Sequence, residues 1–455
     1  MAVWSSVEVA NLSKDFRLDA EYYQPEYLAQ EHATSKRRGV ELQTVADVSD
    51  GNHLSIAEEF SESGVRYLRG QDLSEFFISD ADPIYIPERI YRTLIRSHML
   101  SGDVLVGIVG TIGSVGLVTK RHGNLTGNCK LAIIRAQALP AEYIAAYLTS
   151  RIGQNEIQRR IRGAVQMGLI LPDLKTLPIV VPTDKEREAI VNLVKEAEVS
   201  RERSRELIQA AENLLTESVG LSAVDLSESL SYERQFADLS AAKRFGAEYF
   251  MPCKQRVLDA LAQKSRGPLS KYYTSARDLF DPNDARRGDS VRNFDLSDAL
   301  NPVLDDRLPP VPAREIGSTK KRLKAGDVVI SRLRAYLREI ALVRTTDTIP
   351  AVGSSEFIVL RRRGAEKLSL SRETLLIFLR SLPVQTILKW SQDGSQHPRF
   401  NEDALLAIPV PVAAENISVQ VDKLVNKALA AQAEASQLLV DATAEVEKLV
   451  LKGAK

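Results

Sequence analysis

The chain says the same thing twice. Residues 12–23 read LSKDFRLDAEYY and residues 239–250 read LSAAKRFGAEYF, sharing Leu-Ser, then Arg-x-x-Ala-Glu-Tyr and an aromatic, with Pro25 and Pro252 just beyond. Three more landmarks recur in the same order. Gly102-Asp103-Val104 returns as Gly326-Asp327-Val328, the run from Leu177 to Pro182 returns shuffled as Ile408-Pro409-Val410-Pro411-Val412, and Leu193-Val194 returns as Leu424-Val425. One short match is chance; several in register are a degenerate tandem duplication. Such a chain folds into two similar modules related by a pseudo-twofold axis.

At 455 residues there is enough chain for roughly two to four domains with cores of their own. Apolar content of 44 % and charged content of 26 % are those of an ordinary globular protein. Cys129 and Cys253 occupy unrelated places in the two copies, so neither a disulfide framework nor a paired metal site is implied. The first residues lack a basic start and a continuous apolar run, and Val104–Val118 holds four glycines and is too short to span a bilayer. A cytoplasmic protein without membrane contact is expected.

Net charge is zero, but it is unevenly distributed along the sequence. From Arg89 to Arg135 seven Lys or Arg face one acid, Asp103; from Arg314 to Arg344 nine face Glu315, Asp327 and Glu339. Either window alone reads as a solvated face. The same excess at the same repeated landmark suggests two basic surfaces suited to phosphate contacts.

Short apolar runs, Val104-Leu105-Val106 and Val328-Val329-Ile330, flanked by Gly and Asp, predict strands of a small mixed sheet in each copy. Helical stretches follow at Ala141–Ile161 and Arg372–Trp390, then a Pro-bracketed extended segment and a long helix. In the first long helix the a positions are Ile190, Ala197, Ser204, Ala211 and Ser218, and the d positions Leu193, Ser200, Leu207, Leu214 and Leu221. In the second, a is Val421, Ala428, Ala435, Ala442 and Leu449, and d is Leu424, Ala431, Leu438 and Glu445. Small residues at a with mostly Leu at d suit two helices in close contact, antiparallel if the copies obey a twofold. The fold class expected is α+β: two mixed α/β modules in a pseudo-twofold arrangement, separated by an antiparallel coiled coil of two long helices. Boundaries are set at 1–185, 186–222, 223–414 and 415–455.

Catalytic signals are absent from the pattern. Glycines 107, 110, 113 and 116 recur every third residue, matching neither a dinucleotide-binding nor a Walker loop; a Gly-rich hairpin with close backbone approach is expected instead. No Asn/Asp-Pro-Pro-Tyr/Phe string of an amino-methyltransferase occurs. Glu356-Phe357-Ile358 lacks the nearby Lys of a nuclease centre, and the five histidines show no ligand spacing.

The strings GVRYLRGQDL (64–73), SGDVLVGIVGTIGSVGLV (101–118) and the run from Gly163-Ala164-Val165-Gln166 through Leu177-Pro178 to Asp184-Lys185-Glu186-Arg187 resemble a target-recognition domain of type I restriction-modification specificity subunits. The second half is similar: KAGDVVISRLRAYLREIALV (324–343), GSSEFIVL (353–360), then Gly394-Ser395-Gln396 to Ile408-Pro409. The second copy lacks the Gly-Thr-Ile-Gly run, so the two modules should read different half-sites. The acidic-Gln pair usual at the start of each long helix is here Glu186-Arg187 and Glu415-Asn416. The resemblance implies a non-catalytic reader of double-stranded DNA that recognises a bipartite target. It also implies docking of two copies of a modification methyltransferase subunit and, in complete systems, of a restriction subunit that translocates DNA. No cofactor is then expected in this chain: S-adenosylmethionine belongs to the methyltransferase, ATP and Mg to the restriction partner. The alternatives are an autonomous divergent nuclease and a coiled-coil scaffold with two protein-binding heads. Base reading needs directional donors on loops. In the first module the candidates are Arg69, Gln71, Lys120, Arg121, His122, Lys130 and Gln166, with a structural turn as the competing account of Arg69 and Gln71, and with phosphates the more natural partners of Lys120 and Lys130. In the second they are Arg332, Arg334, Tyr336, Arg338, Gln396, His397 and Arg399, Arg332 and Arg334 alternating as if on a strand.

Overall fold

The computed structural model describes all residues except 1–3, 10, 11, 14–16, 38, 74, 75, 164–166, 305, 306, 345–347, 365–369, 395 and 453–455. Gln166, one of the candidates, lies outside the described residues. The chain divides into two compact units, residues 1–201 with 433–455, and residues 202–432.

The first unit opens with a 3-10 turn at Ala20–Tyr23 and a helix at Pro25–Lys36, whose proline sits in the first turn, where its missing N–H is not needed. Among the described residues nine strands follow: β1 (Gly39–Glu41), β2 (Ala46–Asp50), β3 (Val65–Leu68), β4 (Ile84–Ile86), β5 (Asp103–Gly107), β6 (Val115–Leu117), β7 (Leu125–Gly127), β8 (Leu131–Ala136) and β9 (Pro178–Val180). An antiparallel sheet has the order β2-β8-β5-β6, a smaller one β4-β3-β7 with β3 and β7 parallel, and β1 pairs with β9. The stretch expected as one helix breaks at Ser150 into Ala141–Thr149 and Arg151–Gln158, because Ser150 is extended and caps the second helix through Gly153 N.

The described residues of the second unit form thirteen strands: β10 (Ser265–Pro268), β11 (Tyr273–Ser275), β12 (Leu279–Phe280), β13 (Ser290–Phe294), β14 (Val311–Pro312), β15 (Lys320–Leu323), β16 (Val328–Ser331), β17 (Ile340–Leu342), β18 (Ala351–Gly353), β19 (Phe357–Arg362), β20 (Gln392–Asp393), β21 (Arg399–Phe400) and β22 (Pro409–Pro411). Its connectivity repeats that of the first unit. The four-stranded sheet runs β11-β19-β16-β17, β10 pairs with β22, and β14-β13-β18 again holds one parallel pair. Here β15 and β12 extend the small sheet to five strands, where the first unit has only the bridge between Met99 and Leu125. The helical stretch breaks at Ser381, into Arg372–Arg380 and Leu382–Lys389.

The repeated landmarks have structural work to do. Gly102 and Gly326 adopt φ of 90° and 91°, a region open to glycine, and turn the chain into β5 and β16. The next residue is a buried aspartate. Asp103 accepts from Leu100 N at 2.8 Å and from the Arg135 guanidinium at 3.0 and 2.8 Å, Nε and Nη2 each to one oxygen. Asp327 accepts from Lys324 N at 2.8 Å and from Arg361 through the same two nitrogens, both at 2.8 Å. In the Arg-x-x-Ala-Glu-Tyr motif the guanidinium stacks on the tyrosine, Arg17 4.6 Å from the Tyr22 ring centre and Arg244 4.5 Å from that of Tyr249.

The long helices run Asp184–Ser218 and Ser418–Leu451. In the first unit Ile190, Val194 and Ala197 share a core with Ala435, Ala442, Val446 and Leu449, and with Tyr143, Tyr147 and Val180 of the sheet-and-helix layer. In the second unit Ala211, Leu215 and Val219 share one with Val421, Val425 and Leu429. The a positions are buried as read, apart from half-buried Ser218; most d positions, among them Leu193, Leu207 and Leu214, are only half-buried, whereas Val194, Leu215, Val425 and Val446 one place further on are fully buried. Each helix buries a stripe wider than an a/d seam, because it packs on the layer of its unit as well as on the other helix.

Replacing Asp103 or Asp327 by Ala removes a buried acceptor of one backbone N–H and one guanidinium fork. Each change should lower unfolding free energy by about 2–3 kcal/mol, read by urea denaturation. A loss no larger than the ~0.5 kcal/mol of an exposed ion pair would show that the turn holds without its carboxylate.

Candidate functional site

All seven candidates of the second unit fall on two loops in contact. The β16–β17 loop carries Arg332, Arg334, Tyr336 and Arg338; the β20–β21 hairpin carries Gln396, His397 and Arg399. Backbone bonds join the loops: Arg334 N to Pro398 O at 3.0 Å, Phe400 N to Arg332 O at 3.1 Å, and a bridge between Leu333 and Arg399. The expected strand alternation of Arg332 and Arg334 does not occur. β16 ends at Ser331, and Arg334 is left-handed, with φ 50° and ψ 61°. The loop turn, not a strand face, brings these arginines together.

At the base of the loop pair stands Glu356, which lies in the GSSEFIVL string but is not among the base-reading candidates. Its oxygens accept from Arg399 Nε at 3.2 and 3.1 Å, from Arg399 Nη2 at 3.0 Å, and from Arg332 Nε at 2.8 Å. The bonds from Arg399, then those from Arg332, hold the carboxyl below its usual range. Below the loop, half-buried Arg380 donates to the carbonyls of Arg338, Ile340 and Leu300, and desolvation of its guanidinium pulls it down to about 10. Tyr336, Gln396 and His397 are exposed.

The first unit builds the same frame from other side chains. Ile108 N donates to Lys130 O at 2.8 Å as Arg332 N does to Glu356 O at 3.1 Å; Leu169 N donates to Ile108 O, and Val109 bridges Gly168. Ile108, Lys130 and Gly168 therefore occupy the places of Arg332, Glu356 and Arg399. Counted forward from β5, Gly110 (φ 80°) matches Arg334; counted back from β6, Gly113 (φ 85°) matches Arg338 (φ 53°). In place of the Gly-Thr-Ile-Gly run the second unit has a loop one residue longer that keeps a left-handed position at each end: two arginines hold conformations that suit glycine, at roughly 1 kcal/mol each. Exposed Gln71 joins this place, since its turn is pressed so closely on the hairpin that a Cβ on Gly70 would lie 2.3 Å from Thr111 Oγ1. Exposed Lys130 is here too.

The other candidates of the first unit lie elsewhere. The Arg69 backbone N donates to Asp72 at 2.6 Å, and its guanidinium spans Asp72 and the Asp82 carboxylate and carbonyl, so its structural role as a turn clamp is visible. Asp295 and Asp298 make the corresponding backbone bond in the second unit, at 2.7 Å. Lys120, Arg121 and His122 form a 3-10 turn after β6, at the opposite end of the β5–β6 hairpin from Thr111. Arg121 pairs with Asp80, and His122 caps the turn by accepting from Thr119 N at 3.1 Å. Burial, with the Arg121 charge beside it, lowers the His122 imidazole to about 4. It is neutral at pH 7 and offers phosphate no charge.

The two basic windows are likewise less basic in space than in sequence. Arg89, Arg92, Arg96 and Arg135 pair with Glu59, Glu88, Asp50 and Asp103; Lys320, Lys324 and Arg344 pair with Asp295, Asp278 and Glu373. Apart from Asp103, these acids lie outside the windows and had no place in the count. Among the described residues no cluster of His, Cys, Asp or Glu is arranged to hold a metal ion, and no helix is long and apolar enough to cross a membrane.

No protein-family model and no curated protein matches the chain. Solved structures do. The type I restriction-modification system S subunit from M. genitalium is 16 % identical, with 90 % of this chain and 95 % of that chain covered and a TM-score of 0.40. The HsdS subunit from Thermoanaerobacter tengcongensis is 15 % identical, with 90 % and 96 % covered and a TM-score of 0.29. A chain from a structure on complex assembly and conformational transition of the type I R-M system is also 15 % identical, with 91 % and 97 % covered and a TM-score of 0.29.

Two outcomes follow from the geometry. Arg334→Gly should leave stability unchanged or raise it by up to about 1 kcal/mol; a clear loss in urea denaturation would mean that Arg334 serves the fold, for instance as countercharge to buried Glu339, whose carboxyl burial raises. For His122 the folded state refuses a proton between pH 6.5 and about 4 that the unfolded state accepts. Stability is therefore fully present above pH 6.5 and falls through that window. His122→Asn should flatten the slope of unfolding free energy against pH there.

Proposed function

We propose that this chain is the non-catalytic DNA specificity subunit of a type I restriction-modification system, each unit reading one half of a bipartite, asymmetric target. The observation that carries the proposal is the pair of equivalent loop sites: one backbone frame used twice, with Lys130, Gly110 and Gly168 in one and Glu356, Arg334 and Arg399 in the other. Duplicated frames with divergent side chains suit two related but different half-sites, because groove edges are told apart by donor and acceptor pattern while the docking geometry stays the same. On this reading the recognition modules are residues 1–185 and 223–414, and 186–222 and 415–455 are spacers. DNA contacts come from the loop candidates Gln71, Lys130, Arg332, Arg334, Tyr336, Arg338, Gln396, His397 and Arg399, and in addition from Gln166 and Lys120. Two copies of a methyltransferase subunit dock on the spacers near 183–190 and 413–420 and carry S-adenosylmethionine; a restriction subunit, where the system has one, carries ATP and Mg.

The spacer helices act as a ruler. A 35-residue helix spans about 50 Å at ~1.5 Å per residue, enough to hold two readers over separate stretches of groove. Removing Arg201–Leu207 together with the matched heptad of the second helix shortens the rod by ~10 Å, or about three base pairs at ~3.4 Å each. Sequencing methylated bases in a host carrying this chain and its methyltransferase should reveal two half-sites separated by unread bases. The matched deletion should keep both and lose about three spacer positions. Efficient methylation at the original spacing would rule out the ruler, and a contiguous motif would rule out the bipartite reading.

A further inference from the structure

Glu356 is the one feature of the loop pair that a DNA surface would not call for. A carboxylate facing phosphates repels them, yet this one is the hub on which Arg332 and Arg399 both rest. The effect is to hold two long side chains in fixed places. Their side chains nonetheless remain 44 % and 40 % exposed, so the brace does not bury them. Arg399 has five N–H donors. Nε and one hydrogen of Nη2 go to Glu356, and one hydrogen of Nη1 goes to His397 O at 3.0 Å. What remains is one donor on each terminal nitrogen. Arg332 gives only Nε to the carboxylate and keeps both terminal nitrogens.

A paired, parallel set of donors is what the O6 and N7 atoms of guanine accept in the major groove. Phosphate also accepts a fork, but a point charge such as Lys serves it too, whereas the guanine edge is told from the other bases by the paired donors. The first unit has Lys130 at the corresponding place and Gly168 opposite, a point charge with no fork and no brace. Arg334 and Arg338 stand in the same loop at backbone conformations the first unit gives to glycine, an independent sign that arginine is kept there against local preference.

We infer that the second unit reads a guanine in its half-site through Arg399, seconded by Arg332, and that Glu356 is a positioning residue that aligns both forks; the first unit makes no equivalent contact. The inference rests on the proposed DNA-reading function. Glu356 touches no base itself. It removes the freedom the forks would otherwise lose on binding.

The test is selection from a pool of duplexes with randomised sequence, using the full-length chain with its methyltransferase partner, followed by titration of the winning duplex and of versions altered one base pair at a time. Three variants are compared with the parent chain: Arg399→Lys, which keeps the charge and loses the fork; Glu356→Gln, which keeps the size and loses the brace; and Lys130→Ala. Arg399→Lys and Glu356→Gln should each weaken the preference for G at the same one position by about tenfold, leaving the other positions unchanged. Glu356→Gln should not weaken binding to unrelated duplexes, since it removes a negative charge. Lys130→Ala should leave that position alone. If Arg399→Lys lowers affinity equally for every sequence, with a shallower salt dependence, the arginine contacts phosphate and the inference fails. It fails equally if the G preference survives Glu356→Gln in a chain whose thermal melting matches the parent. A pool in which the parent enriches no sequence would instead overturn the DNA-reading function beneath it.

Discussion

Each unit hangs on a carboxylate buried one residue after a glycine turn. Asp103 and Asp327 tie the start of β5 and β16 to the neighbouring strand through Arg135 and Arg361, and satisfy a turn N–H at the same time. A fork on a carboxylate at the head of the central strand sets the register of that strand against its neighbour. The register in turn decides where the strand ends, and the loops of the candidate site begin where it ends. The carboxylates are 3 % and 2 % exposed, so an unpaired charge there would be costly. This accounts for the survival of Gly-Asp-Val in two copies that share little else.

Outside that clamp the copies have diverged in a particular way. Connectivity, the parallel strand pair, and the bridge that joins the two site loops are common to both. Side chains at the loops are not. Two left-handed positions held by glycine in the first unit are held by arginine in the second, and a lysine has become a glutamate between two arginines. Backbone constraint preserves the frame because a change there would disturb a sheet. The loop side chains are free to vary because they touch solvent or each other.

Both long helices are shared between the two units. The first unit takes the start of one and the end of the other; the second takes the remaining halves. Neither unit has a complete core without residues from both ends of its sequence. Small residues such as Ala197, Ala435 and Ala442 are fully or nearly fully buried there, which lets helix backbones approach while the sheet-facing flank is filled by Val194 and Val446.

Much of this was legible in the amino-acid sequence alone: the duplication, the α+β class, the strands after Gly-Asp, and the two long helices with small residues at a. These are local or periodic signals, and proximity in sequence is enough to carry them. The charge windows misled because ion pairing is settled in three dimensions, where Asp50, Asp80 and Glu373 come from other strands and helices. Arg69 is a turn clamp and His122 a neutral cap for the same reason: the partner that decides a polar side chain's role is chosen by the fold. Glu356 stood out in sequence only as part of GSSEFIVL and as an acid without a nearby Lys, and neither feature named its arginine partners. Only the tertiary structure, by bringing residues 332, 356 and 399 together, made it the centre of the site.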